Sequence, residues 1–164
     1  MADAAGQNYD FVVFNGDLVS MMKSTEHIRE SWLNSAAELF ADRIPLYVAR
    51  GNHETRGVAS TRFMEYFPTS SGQPSYWFCY GPAFFLVLDG GEDKPDNDIE
   101  YCNLGLYDEY RTREAEWIAD IVESAEWKAA PLHIVFCHIP PANGGWHADQ
   151  DIYDQFVPIL NNAG

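Results

Sequence analysis

Four separate apolar runs of this sequence each end at residues whose side chains can bind a metal ion or transfer a proton. The first run ends just before Asp17, the second before Asn52 and His53, the third before Asp89, and the fourth before His138. In open α/β sheets, ligands bind beyond the carboxyl ends of the strands, where loops from several strands converge. Carboxylate, amide and imidazole groups are ligands that hard and borderline divalent metals accept. The pattern therefore predicts a metal site formed by the ends of several strands.

Each of these residues also has a simpler structural interpretation. Asp17 follows a glycine and is typical of a turn, and Asn52 belongs to a Gly-Asn turn dipeptide. His138 comes just before two prolines and fits a hydrogen-bonded loop histidine. Asp89 precedes a glycine, a pair that is more typical of a turn than of a binding site. Taken alone, none of them distinguishes structure from chemistry. The combination of residue types at successive strand ends is what favours a site.

The elements that would position these side chains follow from hydrophobic periodicity. Apolar, β-branched and aromatic runs predict five strands, over residues 9–15, 44–49, 76–80, 83–88 and 132–137. Apolar residues at helical spacing predict helices over residues 24–41, 61–67, 111–126 and 152–160. The acidic segment 92–103 is expected to be an exposed loop.

The order of these elements predicts an α/β fold. Strand, helix and strand over residues 9–49 form a parallel βαβ unit. Gly81-Pro82 separates the third and fourth strands closely enough for an antiparallel hairpin. With 164 residues, 46% of them hydrophobic, the chain is expected to form a single domain over residues 1–164.

Composition excludes some partners. A net charge of −15 repels nucleic acid and anionic lipid, because binding to either depends mainly on Lys and Arg. A small phosphorylated substrate is compatible with this charge, since bound cations reverse the local field of an acidic site. No apolar run approaches the roughly 18 residues that cross a bilayer, and residues 1–10 lack the apolar stretch of a signal peptide, so a soluble chain is expected. Three cysteines without a CxxC pair leave the compartment open.

Three segments resemble successive blocks of the calcineurin-like metallophosphoesterase superfamily, which includes the purple acid phosphatases. They are FNGDLVS around Asp17, GNHE at residues 51–54 and CHIPP around His138. The LDGG segment at 88–91 and the helix that carries Trp117 are similar to the purple acid phosphatase branch. The resemblance covers residues 9–162. It implies a mixed β-sheet sandwich flanked by helices, of which this chain would be the central part.

The resemblance also implies an activity and roles for single residues. The activity is metal-dependent hydrolysis of phosphate mono- or diesters, in which two cations, of iron, zinc or manganese, hold the phosphate and activate water. The residue matching Asp17 bridges the two metals, those matching Asn52 and His138 bind the second metal, and the one matching His53 contacts the phosphate and protonates the leaving group. His147, in the loop after the fifth strand, is a further candidate for substrate contact.

Two blocks of that family have no match here. Residues 1–15 contain no Asp-x-His, and the chain contains no Gly-His-x-His before Gly164. By resemblance, these blocks supply most ligands of the first metal and one of the second. We therefore expect a domain truncated at both ends, with residues 3–7 as the tail of a helix, and one metal or none in this chain. Its catalysis should be impaired, and relatives of the purple acid phosphatase type suggest an exported parent protein.

A second hypothesis is a non-catalytic domain that keeps the fold and binds a partner through aromatic loop residues, namely Tyr101, Tyr107, Tyr110 and Trp146. Other hydrolase classes lack their sequence anchors. The chain has no G-x-S-x-G, G-x-x-x-x-G-K-[ST], H-E-x-x-H or G-x-G-x-x-G motif. Substrate, metal identity and oligomeric state stay open at this point.

Overall fold

The computed structural model describes residues 8–164, and the predicted helix tail at residues 3–7 lies outside them. The strands are β1 (Val12–Asn15), β2 (Leu46–Ala49), β3 (Tyr76–Tyr80), β4 (Ala83–Leu88) and β5 (Leu132–Cys137). The helices are α1 (residues 25–41, with two π-helical turns), α2 (Phe63–Tyr66), α3 (Tyr107–Val122), α4 (Ala125–Ala129) and α5 (His147–Asn162). Short 3₁₀ turns occupy Asn52–Thr55, Ser60–Arg62 and Ile99–Tyr101.

The strands form two sheets. In the first, β1 and β2 are parallel, with Val12 opposite Leu46, and α1 connects them as the βαβ pattern predicts. In the second, β4 lies between β3 and β5, antiparallel to β3 and parallel to β5. The predicted hairpin and the parallel pairing are confirmed. Parallel pairing directs the carboxyl ends of β1 and β2, and those of β4 and β5, the same way within each sheet.

An aromatic layer joins the two sheets face to face. Phe11, beside β1, meets Phe78 of β3 and Phe85 of β4 with ring centroids 5.5 and 5.3 Å apart. Tyr47 of β2 stacks on Phe78 at 3.9 Å. The hydroxyl of Tyr76 accepts from the amide of Val48 and donates to its carbonyl, at 3.0 and 3.1 Å. The sheets therefore form a sandwich with a packed interior.

Helices cover the outer faces of this sandwich. On the first sheet, Trp32, Ala36 and Phe40 of α1 are buried, and Trp32 meets Phe14 of β1 edge to face at 4.8 Å. On the second, α3 and α5 pack against the other side of β4, which is buried on both faces. The predicted class, an α/β sandwich of mixed sheets flanked by helices, is confirmed.

The largest differences from the predicted boundaries concern α3 and α5. Helix α3 begins at Tyr107 instead of residue 111 and ends at Val122, and the hydroxyl of Ser124 caps a separate helix by accepting from the amide of Trp127 at 3.2 Å. Helix α5 begins at His147 because the Asp149 carboxylate accepts from the Trp146 amide at 3.1 Å, which stabilises its first turn. Pro158 lies inside this helix without ending it.

The prediction of an exposed loop over residues 92–103 is wrong at its start, because Glu92 is only 2% exposed. Its carboxylate is buried among hydrogen-bond donors that lie far away in sequence. Among residues 8–164, none of the helices has the length and apolar character that crossing a membrane requires.

Candidate active site

Three strand ends meet at two glycines. Gly16 and Asp17, directly after β1, both have left-handed backbone, with φ of 77° and 55°. A Cβ atom on Gly16 would lie 2.4 Å from Nδ1 of His138 and 2.7 Å from the Cα atom of Gly51. A Cβ atom on Gly51 would lie 2.4 Å from the backbone nitrogen of Asp17. Only glycine fits either position, and the absence of side chains lets the loops after β1, β2 and β5 touch.

This convergence brings Asp17, His53 and His138 together. Oδ1 of Asp17 lies 3.3 Å from Nε2 of His138 and accepts from the backbone amide of His53 at 3.2 Å. Oδ2 of Asp17 lies 3.8 Å from Nε2 of His53. Three of the residues that the sequence singles out, each from a different strand end, therefore share one short-range cluster.

Backbone carbonyls orient both imidazole rings. Nδ1 of His138 lies 2.6 Å from the carbonyl of Asn15, and Nδ1 of His53 lies 3.0 Å from the carbonyl of Ser20. Since a carbonyl only accepts, both Nδ1 atoms carry the proton, so that in the neutral form of each ring Nε2 is the acceptor. Both Nε2 atoms are on the side of the ring that faces Asp17.

The pair of Asp17 and His138 fits a cation. In the neutral imidazole, Nε2 and the carboxylate oxygen are both acceptors, and two acceptors 3.3 Å apart need a proton or a cation between them. This separation also suits two neighbouring ligands of one metal ion, each at about 2.1 Å from it. Among residues 8–164, no group of three or more His, Cys, Asp or Glu side chains is arranged to hold a metal. A third donor from this part of the chain must therefore be of another type.

Asn52 provides an amide near His138. It is 7% exposed, and its Nδ2 donates to Oε1 of Glu92 at 3.4 Å. Together with His138 it lines a cavity of about 230 Å³, whose other walls are Asp93, Ile139, Pro140, Trp146 and Asp149. The cavity places an amide and an imidazole of the predicted set around one space.

Glu54 is a residue of this region to which the sequence pattern assigned no role. Its side chain is fully buried. Oε2 accepts from the backbone amides of Asp17 and Gly51, both at 2.9 Å, and Oε1 accepts from that of Val19 at 3.1 Å. One carboxylate thus connects the loop after β1 to the loop after β2. Its place as the last residue of the GNHE block at residues 51–54 is the local signal that could have pointed to it.

A second buried carboxylate, that of Glu92, contacts the side chain of Asn52. Glu92 accepts from Nε and Nη2 of Arg56 at 2.8 and 2.7 Å, and Asp93 accepts from the same Nη2 at 3.1 Å. Burial raises the pKa of Glu92, but the hydrogen bonds to its carboxylate, with those from Arg56 the strongest, together outweigh burial and hold the pKa below its usual value. Nη1 of Arg56 lies 3.2 Å from Nε2 of His53, so this ion pair borders the site.

Asp89, the strand-end candidate on β4, is engaged in a different contact. It is fully buried and forms a bidentate pair with Arg50, from Nε at 2.8 Å and from Nη2 at 2.5 Å. The hydroxyl of Tyr110 donates to the same carboxylate. Burial lowers the pKa of Arg50, but the charge of Asp89 and the hydrogen bonds to it together outweigh burial, and the pKa lies above its usual value. These contacts favour a structural role for Asp89 over a role as a metal ligand.

Glu114 of α3 is a buried acid next to Asp89. Burial, and then the charge of Asp89, raise the pKa of Glu114 to about 7, although the hydroxyl of Ser75 and the amides of Asp89 and Gly90 donate to its carboxylate. Between pH 4.5, the ordinary pKa of a glutamate, and about pH 7, the folded chain therefore keeps a proton on Glu114 that the unfolded chain has released. The stability contributed by this proton is complete below the unfolded pKa and is lost as pH rises through the folded one.

We expect Glu114→Gln to remove this pH dependence, because the amide is neutral at every pH. From pH 4.5 to pH 8, the free energy of unfolding of the variant should rise by about 3 kcal/mol relative to that of the unmodified chain. Urea unfolding at several pH values, followed by circular dichroism, measures the difference. Glu109→Gln, at an exposed site of the same helix, serves as the control. Parallel pH profiles for Glu114→Gln and the unmodified chain would contradict the prediction.

His147 lies at the first turn of α5 and contacts α3. Its Nε2 is 2.7 Å from Oδ1 of Asp108, and it is not among the residues that line the cavity beside Asn52. Its neighbour Trp146 does line that cavity and is 66% exposed. Contact between His147 and a substrate stays a prediction.

A two-sheet α/β sandwich with Asp, Asn and two His side chains at converging strand ends has the architecture of the metallophosphoesterase fold class. A family model described as calcineurin-like phosphoesterase matches residues 2–162, and the chain belongs to this family. It is 28% identical over 132 residues to the serine/threonine-protein phosphatase CPPED1 of Rattus norvegicus, and 29% identical over 137 residues to the CPPED1 of Mus musculus. Each alignment covers 79% of this chain and 40% of the relative.

The chain therefore matches about 40% of the length of these curated relatives. The comparisons show the family and do not show the purple acid phosphatase branch. That narrower assignment stays a prediction.

Proposed function

We propose that this chain is part of a metal-dependent hydrolase of phosphate mono- or diesters. The observation that carries the proposal is the cluster of Asp17, His53 and His138, in which Oδ1 of Asp17 lies 3.3 Å from Nε2 of His138. Membership of the calcineurin-like phosphoesterase family supports the same chemistry. The two relatives are named as serine/threonine-protein phosphatases, which favours a phosphate monoester among the possible substrates.

Asp17, Asn52 and His138 are the proposed metal-binding residues of this chain. Divalent cations bound there would neutralise phosphate charge and make water a nucleophile at neutral pH. His138 offers Nε2 in a fixed orientation because its Nδ1 is bonded to a carbonyl, the arrangement that orients most metal-binding histidines. Two hydrogen bonds fix Asp17. Its backbone amide donates to Glu54, and its Oδ1 accepts from the backbone amide of His53.

His53 is the proposed phosphate contact and proton donor. Its Nδ1 is fixed on the carbonyl of Ser20, so the proton for a leaving group would be carried by Nε2. Nη1 of Arg56 is 3.2 Å from this atom. A phosphate oxygen in contact with both nitrogens would accept from the guanidinium and from a protonated Nε2.

Several more specific proposals do not follow from the three matching segments around Asp17, at residues 51–54 and around His138. A dinuclear site with iron, zinc or manganese, a purple acid phosphatase-like branch and one domain over residues 1–164 all remain proposals. With three of four expected ligands for one metal, this chain should hold one metal ion weakly, and its turnover should be low. A small phosphorylated substrate remains the expected ligand.

Asp17→Ala and Asn52→Ala are expected to weaken metal binding at least about 100-fold, because loss of an outer partner alone costs 10- to 100-fold. Isothermal titration with Mn²⁺ and Zn²⁺ measures the affinity, and hydrolysis of an aryl phosphate measures activity. Asp42→Ala, which removes an exposed carboxylate of a surface ion pair, is the matched control. Equal metal affinity in the control and in both site variants would contradict the proposal.

The alternative, a binding domain that keeps the fold without catalysis, has one observation in its favour. Ile99, Leu104 and Leu106 are 82%, 79% and 71% exposed in the segment that leads to α3. The aromatic residues first considered are less available, since Tyr110 is bonded to Asp89 and Tyr101 lies 6.0 Å from the Arg56 guanidinium. A chain that unfolds cooperatively and binds no metal would favour this alternative.

A further inference from the structure

Glu92 lies outside the sequence blocks that define the site, yet it contacts the segment that carries two proposed site residues. Its carboxylate accepts from Nδ2 of Asn52 at 3.4 Å and from the hydroxyl of Thr55 at 3.3 Å. The single hydrogen of the same hydroxyl is shared with the carbonyl of Asn52, which lies 2.7 Å from the hydroxyl oxygen. Both the amide side chain and the backbone of Asn52 are therefore connected to Glu92.

We infer that Glu92 is a positioning residue, which orients the side-chain amide of Asn52 so that its Oδ1 is left for a metal ion, and which holds Arg56 beside His53. A carboxylate paired with a guanidinium can only accept, so the end of the amide that faces Glu92 is the NH₂ group. The opposite end, Oδ1, is the one that can act as a metal ligand. Without Glu92 the amide could rotate and present donors to the cation.

Arg56 keeps Glu92 in place for this role. Its guanidinium makes a bidentate contact with Glu92, whose side chain is 2% exposed, and its Nη1 extends to Nε2 of His53. The amide of Asp93 also donates to Glu92 at 2.9 Å. One buried carboxylate thus connects the proposed metal ligand to the proposed proton donor, as outer partners do in metal sites.

The inference rests on the proposed function, because it takes Asn52 as a metal ligand. Glu92→Asp is the sharpest variant, since a carboxylate remains for Arg56 while the shorter side chain withdraws from a contact that is already 3.4 Å long. Glu92→Gln is the second variant, because it preserves volume and removes one acceptor. Glu100→Asp, at an exposed site that pairs with the Lys94 ammonium, is the control.

We expect Glu92→Asp to weaken binding of Mn²⁺ to the 164-residue chain by about 10- to 100-fold and to leave the urea midpoint near that of the unmodified chain. In the Asn52→Ala background, Glu92→Asp should change the Mn²⁺ affinity less than about twofold, because its target is already gone. An equal loss in both backgrounds would overturn the inference, since it would show that Glu92 acts on the fold as a whole.

A second readout separates this inference from the proposed function. In the metal-free chain, the side-chain NH₂ resonances of Asn52 are identified by their loss in Asn52→Ala. Glu92→Asp and Glu92→Gln should move them toward those of an exposed asparagine such as Asn161. Unmoved resonances overturn the positioning role, whatever the metal affinity. Moved resonances in a chain that binds no Mn²⁺ support the positioning role and refute the metal site.

Discussion

Replacing Glu54 with alanine is expected to lower the free energy of unfolding by about 3 to 5 kcal/mol, because three backbone amides would lose their carboxylate acceptor at a fully buried position. The three amides belong to Asp17, Val19 and Gly51, and the Glu54 side chain has no exposed surface. Urea unfolding followed by tryptophan fluorescence measures the loss.

Glu54→Gln separates charge from shape. The amide oxygen can replace one carboxylate oxygen, while the NH₂ group would face a backbone donor, so we expect about half the loss of the alanine variant. Glu109→Gln, on the exposed face of α3, should leave the urea midpoint unchanged. If Glu54→Ala were as stable as this control, Glu54 would not be what joins the two loops of the site.

Arg50→Met is expected to destabilise the fold by about 3 to 5 kcal/mol, because it leaves the buried charge of Asp89 without its partner. This loss of stability is expected because Asp89 is fully buried and accepts two hydrogen bonds from Arg50. Differential scanning calorimetry and urea titration measure it.

The double variant Arg50→Met with Asp89→Asn tests the cause of that loss. Removing both charges should recover part of the stability, since a neutral amide still accepts from Tyr110 and carries no uncompensated charge. Arg43→Met, which removes an exposed ion pair, is the matched control and should cost less than about 1 kcal/mol. A double variant less stable than the single one would show that packing, rather than charge, dominates at this position.

The sandwich and the strand ends could be predicted because each rests on local signals. The apolar runs before Asp17 and His138 end where the strands end, to within one or two residues. The periodicity of Trp32 and Phe40 marks the buried face of α1, and both are buried. Hydrophobic period and turn residues are properties of short segments, so they can be read without the tertiary structure.

The buried carboxylates could not be predicted in this way, because their partners are distant in sequence. Glu92 lies 40 residues from Asn52, and Glu54 lies 37 residues from Asp17. Glu92 begins an acidic segment, and a run of charges is ordinarily solvated, which is why an exposed loop was expected. The start of α3 also depends on a partner outside the helix, because the amide of Tyr107 in its first turn donates to the carboxylate of Asp96 at 2.6 Å. The periodicity of the helix itself does not contain this contact.

The central claim is that Asp17, Asn52 and His138 share one cation. The most direct test is a crystal of the chain soaked in Mn²⁺, with diffraction recorded at the manganese absorption edge. We predict one anomalous peak within about 2.0 to 2.4 Å of a carboxylate oxygen of Asp17, Oδ1 of Asn52 and Nε2 of His138. Crystals that show manganese elsewhere, or none at these three atoms at saturating Mn²⁺, would contradict the account.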